Sequence, residues 1–267
     1  MGFAGITSFR WNRLSVLFDL FDKITKLIMK IRLLETINKR IREIPVWVLL
    51  VVLGFITYGL LIPRMGFYLD DWYIVLFHKY FGAGHFAEFF KGDRPFFGYV
   101  YDVFVPIFKD SRIGWQLFAL ATHILTAIVF WFLLELLAPK QKRFNLIAGI
   151  FFLVYPGFKF HWFSVMYSQV FFLYAVYILS FVLMVNAITA DKRRVWYLLG
   201  AIFCQIVGIV PQESFLGLEF VRPILLFIVL QSNHQKTRSQ NLKQALIWWL
   251  PYLLIFITFT AYRVLNS

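Results

Sequence analysis

Long apolar segments alternate with short polar connections along most of the chain. A helix needs about 20 mostly apolar residues to cross the hydrocarbon core of a bilayer. Seven segments meet or approach that requirement, at 46–62, 113–137, 144–155, 165–190, 195–210, 215–231 and 245–265. The pattern predicts an all-α fold, a polytopic transmembrane helix bundle of about seven spans. The segment at 144–155 is short, so we expect it to continue to Phe163 or to be a half-span buried in the bundle.

Composition agrees with a membrane location. Of the 267 residues, 60% are hydrophobic and 15% are charged, whereas a soluble domain is roughly 45–50% apolar and about 25% charged. A soluble protein of this size still needs a charged surface, so the composition excludes a soluble globular enzyme, a disordered chain and a collagen. The single cysteine, Cys204, excludes an intrachain disulfide and a cysteine-based metal site.

Basic residues fall on alternate connections, and this predicts the orientation. The stretch before the first apolar segment and the connections after the second, fourth and sixth segments hold 18 of the 27 Lys and Arg residues. The positive-inside rule then places the N-terminus in the cytoplasm of a multi-pass protein, in a plasma or inner membrane. The net charge of +13 is thereby explained by topology, and we expect the lipid bilayer rather than nucleic acid as the partner.

The first 44 residues form a separate basic segment in this prediction, ahead of a transmembrane domain at 45–267. Apolar residues recur at helical spacing, at Leu17, Phe21, Ile24, Ile28, Ile31 and Leu34, with charged residues on the other side. This is typical of an amphipathic helix lying on the cytoplasmic membrane surface. A helix docked on another protein is the alternative.

Residues 64–112 form the one long hydrophilic connection, and the predicted topology places it outside the cell. It holds six acidic and six basic residues together with many aromatic ones. Within it we predict a short helix at 71–81 and a second interfacial or re-entrant segment at 94–108, which Asp102 and Pro106 interrupt.

Two adjacent carboxylates, Asp70 and Asp71, open this loop. Their repulsion tends to raise one pKa and so to keep a proton acceptor near neutral pH. They could also chelate a divalent cation, so a metal is possible. The alternative is that one of them caps a helix N-terminus.

A second candidate group follows at Lys91, Asp93 and Arg94. Lys and Arg beside the flexible Gly92 suit a phosphate through charge-assisted and bidentate contacts. A polar turn with an ion pair at its rim is the alternative.

The third group lies in and near the sixth apolar segment, at Glu213, Glu219 and Arg222. With 1.5 Å per residue, Glu219 and Arg222 lie about 9 and 13 Å below Glu213, where each charge costs roughly 2.5–3.5 kcal/mol to insert. They can pair at i,i+3, as a binding site or as a structural lock. Polar residues in other spans suggest a polar cavity opening outward, at Gln116, His123, Gln169 and Gln205.

These motifs together resemble the C-type membrane glycosyltransferases, which include protein O-mannosyltransferases and the aminoarabinose transferases of lipid A. The matching stretches are 66–72 (GFYLDDW), 93–95 (DRP) and 212–223 with Glu213, Glu219, Arg222 and Pro223. The resemblance covers about residues 45–230. Members usually have more spans, so we expect a truncated, a minimal or an inactive member.

The resemblance implies a donor sugar carried on a polyprenyl phosphate and an acceptor on the extracytoplasmic side. Asp70 or Asp71 would be the general base, and Lys91 and Arg94 would hold the leaving phosphate. A non-catalytic membrane protein is the alternative, either a transporter or lipid-handling protein whose site is the Glu219–Arg222 pair, or a structural subunit.

The charge pattern gives a direct test of topology. Cysteines introduced at Lys140 or Lys192 should react only with a membrane-permeant thiol reagent, and one at Lys91 should react with an impermeant reagent. The reverse labelling pattern in intact cells would invalidate every site assignment in the loop.

Overall fold

The computed structural model describes residues 44–155, 158, 160, 162–190, 192–232 and 237–266. The chain divides into two compact units, Met1–Leu49 and Leu50–Ser267. The first unit contributes only residues 44–49 to the described part. The predicted amphipathic helix before residue 44 therefore lies outside the described residues.

Over the described residues the regular structure is entirely helical. The α-helices are α1 Val46–Tyr58, α2 Asp70–Phe81, α3 Phe86–Phe89, α4 Pro95–Phe108, α5 Arg112–Leu137, α6 Lys142–Val154, α7 Ser164–Thr189, α8 Arg194–Ile209, α9 Val221–Ser232 and α10 Arg238–Asn266. Two 3₁₀ segments, Gly59–Arg64 and Glu213–Phe220, continue α1 and precede α9.

Four helical stretches within this part of the chain are long and apolar enough to cross a membrane. They are Val46–Arg64, Arg112–Leu137, Ser164–Thr189 and Arg238–Asn266. The prediction of an all-helical, multi-pass membrane protein is therefore confirmed.

The seven-span prediction is not supported in the same way, because three of the segments are too short or too irregular. Helix α6 has 13 residues and α8 has 16, which gives about 20 and 24 Å at 1.5 Å per residue, against a hydrocarbon core of about 30 Å. The segment at 215–231 is split between a 3₁₀ stretch and the 12 residues of α9. Pro223 lies in the first turn of α9, where its missing N–H is tolerated, but it could not sit within a longer α-helix without a kink.

Helix α7 lies at the centre of the unit Leu50–Ser267. Of its apolar stretch 61% is buried, against 44% in α5 and 17% in α10. Thr126 of α5 donates a hydrogen bond to the Phe171 carbonyl of α7 at 2.9 Å. On another side, α8 approaches so closely that a Cβ at Gly208 would meet the Tyr177 Cβ at 2.7 Å. The neighbours of α7 are thus fixed by close backbone approach as well as by apolar packing.

The connection at 64–112 is itself folded. Gly98 of α4 packs on the backbone of α3, where a Cβ would meet the Ala87 Cα at 2.5 Å. Asp102 accepts hydrogen bonds from the amides of Gly84 and Phe86 at 2.9 and 3.2 Å. The helices predicted at 71–81 and 94–108 are present as α2 and α4, while their position at the membrane surface stays a prediction.

Candidate functional site

A cavity of about 250 Å³ lies within the connection at 64–112 and reaches the start of α7. Its polar lining comes from the predicted site residues Asp70, Asp93 and Arg94 and from two tyrosines, Tyr73 and Tyr101. We call this space the loop cavity. Its polar lining residues are up to 31 positions apart in the chain, and they meet because α2, the turn at 90–94 and α4 fold against one another.

Asp70 is the first residue of α2 and its side chain is exposed. The residue before it, Leu69, has a positive φ of 43°, which is uncommon for a residue with a side chain and stores backbone strain. This sharp turn directs the chain into α2 and leaves the Asp70 carboxylate at the open side of the loop cavity.

Asp71 has a different environment, because its side chain is fully buried. Its Oδ1 accepts hydrogen bonds from the amides of Val165 and Met166 at 3.0 and 3.1 Å, and the Ser164 hydroxyl donates to Oδ2 at 3.3 Å. The carboxylate therefore caps the N-terminus of α7, where free amides and the helix dipole favour an anion. Asp71 is therefore a helix cap, as in the alternative interpretation of the acidic pair. The helix that it caps is α7, whereas Asp71 itself belongs to α2.

Burial raises the pKa of Asp71 to about 6 from its ordinary value of 3.8, and the hydrogen bonds from Ser164, Val165 and Met166 act in the opposite direction. Both carboxylate oxygens are occupied by these donors. Asp71 is thus poorly placed to contact a substrate, and Asp70 is the open member of the pair.

Arg94 supplies the positive charge of the loop cavity. Its Nε lies 3.7 Å from Asp93 Oδ2, and these side chains are 36% and 78% exposed. An ion pair this long and this exposed contributes little energy, so the guanidinium can exchange Asp93 for another anion. Lys91 instead pairs with Glu88 at 3.3 Å, with both side chains more than 70% exposed, and it does not line the loop cavity.

Tyr101 is a site residue that sequence reasoning missed. Burial and the charges of Asp71 and Asp70 raise its pKa, against the lowering effect of Arg94. The phenol therefore stays protonated at neutral pH and can donate a hydrogen bond into the loop cavity. The available signal was its i,i+4 spacing from Phe97 on α4, since both residues line the same face.

Glu213 does not line the loop cavity but reaches its rim through Arg263. The Nε of Arg263 lies 2.5 Å from Glu213 Oε1, and its Nη2 donates to the Asp93 carbonyl at 2.8 Å. Arg263 lies near the end of α10, 170 residues after Asp93, so no local pattern could have connected them.

Glu219 and Arg222 lie away from the loop cavity, as a buried pair. Arg222 donates two hydrogen bonds to the Glu219 carboxylate at 2.8 and 2.9 Å, and the Tyr177 hydroxyl donates to Glu219 at 2.6 Å. The guanidinium also lies over the rings of Tyr252 and Phe181, at 4.2 and 4.5 Å from their centroids. This geometry gives the two residues the role of a lock between helices.

Two of the four polar residues expected to form an outward polar cavity, Gln116 and Gln205, donate to backbone carbonyls instead. Gln116 donates to the carbonyls of Gly66 and Trp162, and Gln205 donates to that of Tyr252. A second cavity, of about 520 Å³, is mainly apolar and lies between α5, α6 and α7, with His123 among its lining residues. We call it the apolar cavity.

Neither a metal site in the described part of the chain nor a family match identifies the protein. Among the described residues, no group of three or more His, Cys, Asp or Glu side chains is placed to hold a metal ion. No protein-family model, curated protein or solved structure matches the chain, so the family resemblance rests on the motifs alone.

The buried pair can be tested by stability. Arg222→Ala should lower the free energy of unfolding by about 3–5 kcal/mol, because it strands the Glu219 carboxylate in a region of low dielectric constant. Adding Glu219→Gln removes that charge while keeping an acceptor for Tyr177, so the double variant should be more stable than the single one. Equal thermal stability of the two in detergent would show that the residues are not energetic partners.

The raised pKa of Asp71 predicts a pH dependence of stability. The folded protein holds this proton more tightly than the unfolded chain, so the stabilisation is complete below about pH 4 and is lost as the pH rises through about 6. The melting temperature of the wild type minus that of Asp71→Asn should therefore increase as the pH falls from about 7 to 4. Asp110→Asn, which removes an exposed carboxylate from the same loop, is the control variant. For Asp71→Asn, a trend of opposite sign would mean that the capping hydrogen bonds outweigh burial.

Proposed function

We propose that the protein is a membrane glycosyltransferase that moves a sugar from a polyprenyl-phosphate donor to an acceptor on the extracytoplasmic side. One observation carries the proposal: an open carboxylate, Asp70, and a loosely paired guanidinium, Arg94, line the same small cavity. A proton acceptor beside an anion-binding group is what glycosyl transfer from a phosphate requires.

In this proposal Asp70 is the general base. It accepts the proton of the acceptor hydroxyl or amine as that group attacks the anomeric carbon of the donor sugar. The bond between the anomeric carbon and the phosphate oxygen breaks, and the phosphate leaves with the electron pair. Arg94 stabilises the charge that develops on this oxygen, and Tyr101 can donate a hydrogen bond to it.

The apolar cavity supports a lipid-linked donor. Its volume of about 520 Å³ lies within the range of ligand pockets, roughly 300–1,000 Å³. Met166 lines the loop cavity and the next residue, Tyr167, lines the apolar cavity. A donor could therefore place its phosphate in the first space and part of its hydrocarbon chain in the second.

The finer topology belongs to the same proposal. On α2, Trp72, Leu76 and Tyr80 are exposed along one face, whereas Ile74 and Val75 are buried. An exposed apolar face rich in aromatic side chains is typical of a helix at a membrane interface. We propose that α2 and α4 lie at the outer surface, that the N-terminus is cytoplasmic, and that the short helices complete seven crossings in a plasma or inner membrane.

A transporter built on Glu219 and Arg222 is the less favoured alternative. Each of these side chains is fully buried and already engaged by the other, and Tyr177 also donates to Glu219. Releasing either to a substrate would leave a buried charge uncompensated.

The catalytic assignment is tested by sugar transfer from a radiolabelled polyprenyl-phosphate donor in membranes. Asp70→Asn should lower kcat by about 10²–10⁴-fold, the usual contribution of a general base, with little change in melting temperature since the side chain is exposed. Arg94→Ala should mainly raise KM for the donor, and Arg94→Lys should rescue it poorly if the phosphate contact is bidentate.

Asp110→Asn, which removes an exposed carboxylate from the same loop, is the matched control and should keep wild-type activity. Transfer at the wild-type rate by Asp70→Asn would remove the catalytic assignment of the loop and favour the non-catalytic alternative.

A further inference from the structure

The C-terminal end of α10 contacts the turn that carries Arg94. Arg263 donates from Nη2 to the Asp93 carbonyl at 2.8 Å. Within the turn, the amides of Asp93 and Arg94 both donate to the Phe90 carbonyl, at 3.1 and 2.8 Å. The turn is therefore held internally by its own backbone, on one side by the packing of Phe90 on Tyr101 of α4, and on the side of α10 by the hydrogen bond from Arg263.

Glu213 fixes the position of that arginine. Its carboxylate lies 2.5 Å from the Arg263 Nε, and the side chains of Arg263 and Glu213 are 21% and 31% exposed. An ion pair that is partly shielded from water is screened by salt less than one at the surface. Because different nitrogens of one guanidinium face Glu213 and Asp93, the planar group links the 3₁₀ segment Glu213–Phe220 to the turn.

Apolar packing alone holds this junction weakly. Phe96, just after the turn, meets Tyr262 and Phe259 of α10 at centroid distances of 5.8 and 6.3 Å. The same three residues line a cavity of about 430 Å³, so the contact is incomplete. The polar contacts of Arg263 are therefore the specific restraint between α10 and the turn.

We infer that Arg263 is a positioning residue for the phosphate-binding group of the loop cavity. It does not line that cavity; it holds the backbone of Asp93, and thereby places the neighbouring Arg94 for contact with a lipid phosphate. The inference rests on the proposed function for its ligand class, a polyprenyl monophosphate, but the restraint on the turn can be measured without activity.

A lysine cannot perform this role fully. Its ammonium is a compact charge, whereas the guanidinium presents donors in several fixed directions. Arg263→Lys should keep an ion pair with Glu213 yet fail to reach Asp93 at the same time. Arg263→Gln loses the charge entirely, and Glu213→Gln leaves the arginine without its anchor.

The experiment uses the full chain in nanodiscs, with Arg263→Gln, Arg263→Lys and Glu213→Gln compared with the wild type. Arg238→Gln is the matched control, since it removes one positive charge from the exposed start of the same helix. Hydrogen exchange of the amides at 92–94 reports the restraint, and binding of polyprenyl monophosphate reports its consequence.

In Arg263→Gln we expect exchange at 92–94 to be about tenfold faster and the Kd for polyprenyl monophosphate about tenfold higher, the size expected for loss of a hydrogen bond to a charged group. Arg263→Lys should show smaller increases in exchange rate and in Kd than Arg263→Gln. The double variant Arg263→Gln with Glu213→Gln should have the same exchange rate and Kd as Arg263→Gln alone. In transfer assays of Arg263→Gln, KM for the donor should rise, whereas kcat should stay within about twofold of the wild-type value.

Unchanged exchange in Arg263→Gln overturns the inference, and so does faster exchange with unchanged binding, which would leave Arg263 a purely structural residue. If the wild type binds polyprenyl monophosphate but transfers no sugar, the proposed function fails while the role of Arg263 stands. A wild type that does not bind polyprenyl monophosphate overturns both.

Discussion

The carboxylate of Asp71 and the free amides at the start of α7 form the contact on which the arrangement of the site depends. Helix α7 is the most buried of the candidate spans. The first turn of α7 contacts the loop at 64–112 through Asp71. An anion at this position satisfies donors that have no partner within the helix and lies at the positive end of its dipole. Because Asp71 belongs to α2, the same hydrogen bonds attach the loop to the core. They thereby also fix the position of the neighbouring residue, Asp70.

The rest of the loop is held together by contacts between residues that are close in sequence. Gly98 permits the backbones of α3 and α4 to touch, and Asp102 caps the turn before α3. These contacts bring the turn at 90–94 opposite the first residue of α2. The turn is held from two sides, by Phe90 against Tyr101 of α4 and by Arg263 of α10 at the Asp93 carbonyl. The polar residues that line the loop cavity therefore all belong to the loop. The candidate spans contribute the helix on which the loop packs.

Helical periodicity and charge were sufficient to predict the apolar helices, α2, α4 and the spacing that pairs Glu219 with Arg222, because these features are local in sequence. The separate roles of Asp70 and Asp71 were not predictable, since two neighbouring carboxylates with the same composition around them differ only in tertiary burial. The contact of Arg263 with the loop depends on packing across 170 residues. The 3₁₀ segment at 213–220 interrupts the predicted sixth apolar segment, and the hydrogen bond between Glu219 and Tyr177 of α7 joins residues 42 positions apart, beyond the reach of any local pattern.

The pairing of Glu219 with Arg222 also bears on how the protein enters the membrane. The partners are three residues apart, so the pair can form as soon as this segment leaves the ribosome, before any contact between spans exists. Tyr177, which hydrogen-bonds to Glu219, is synthesised 42 residues earlier, so its helix, a candidate span, is made before the charged segment. A segment whose charges already offset one another costs less to transfer into a bilayer than one that carries two separate ions. The spacing of the pair therefore lowers the cost of insertion for this stretch, and Tyr177 is already available to donate to the carboxylate.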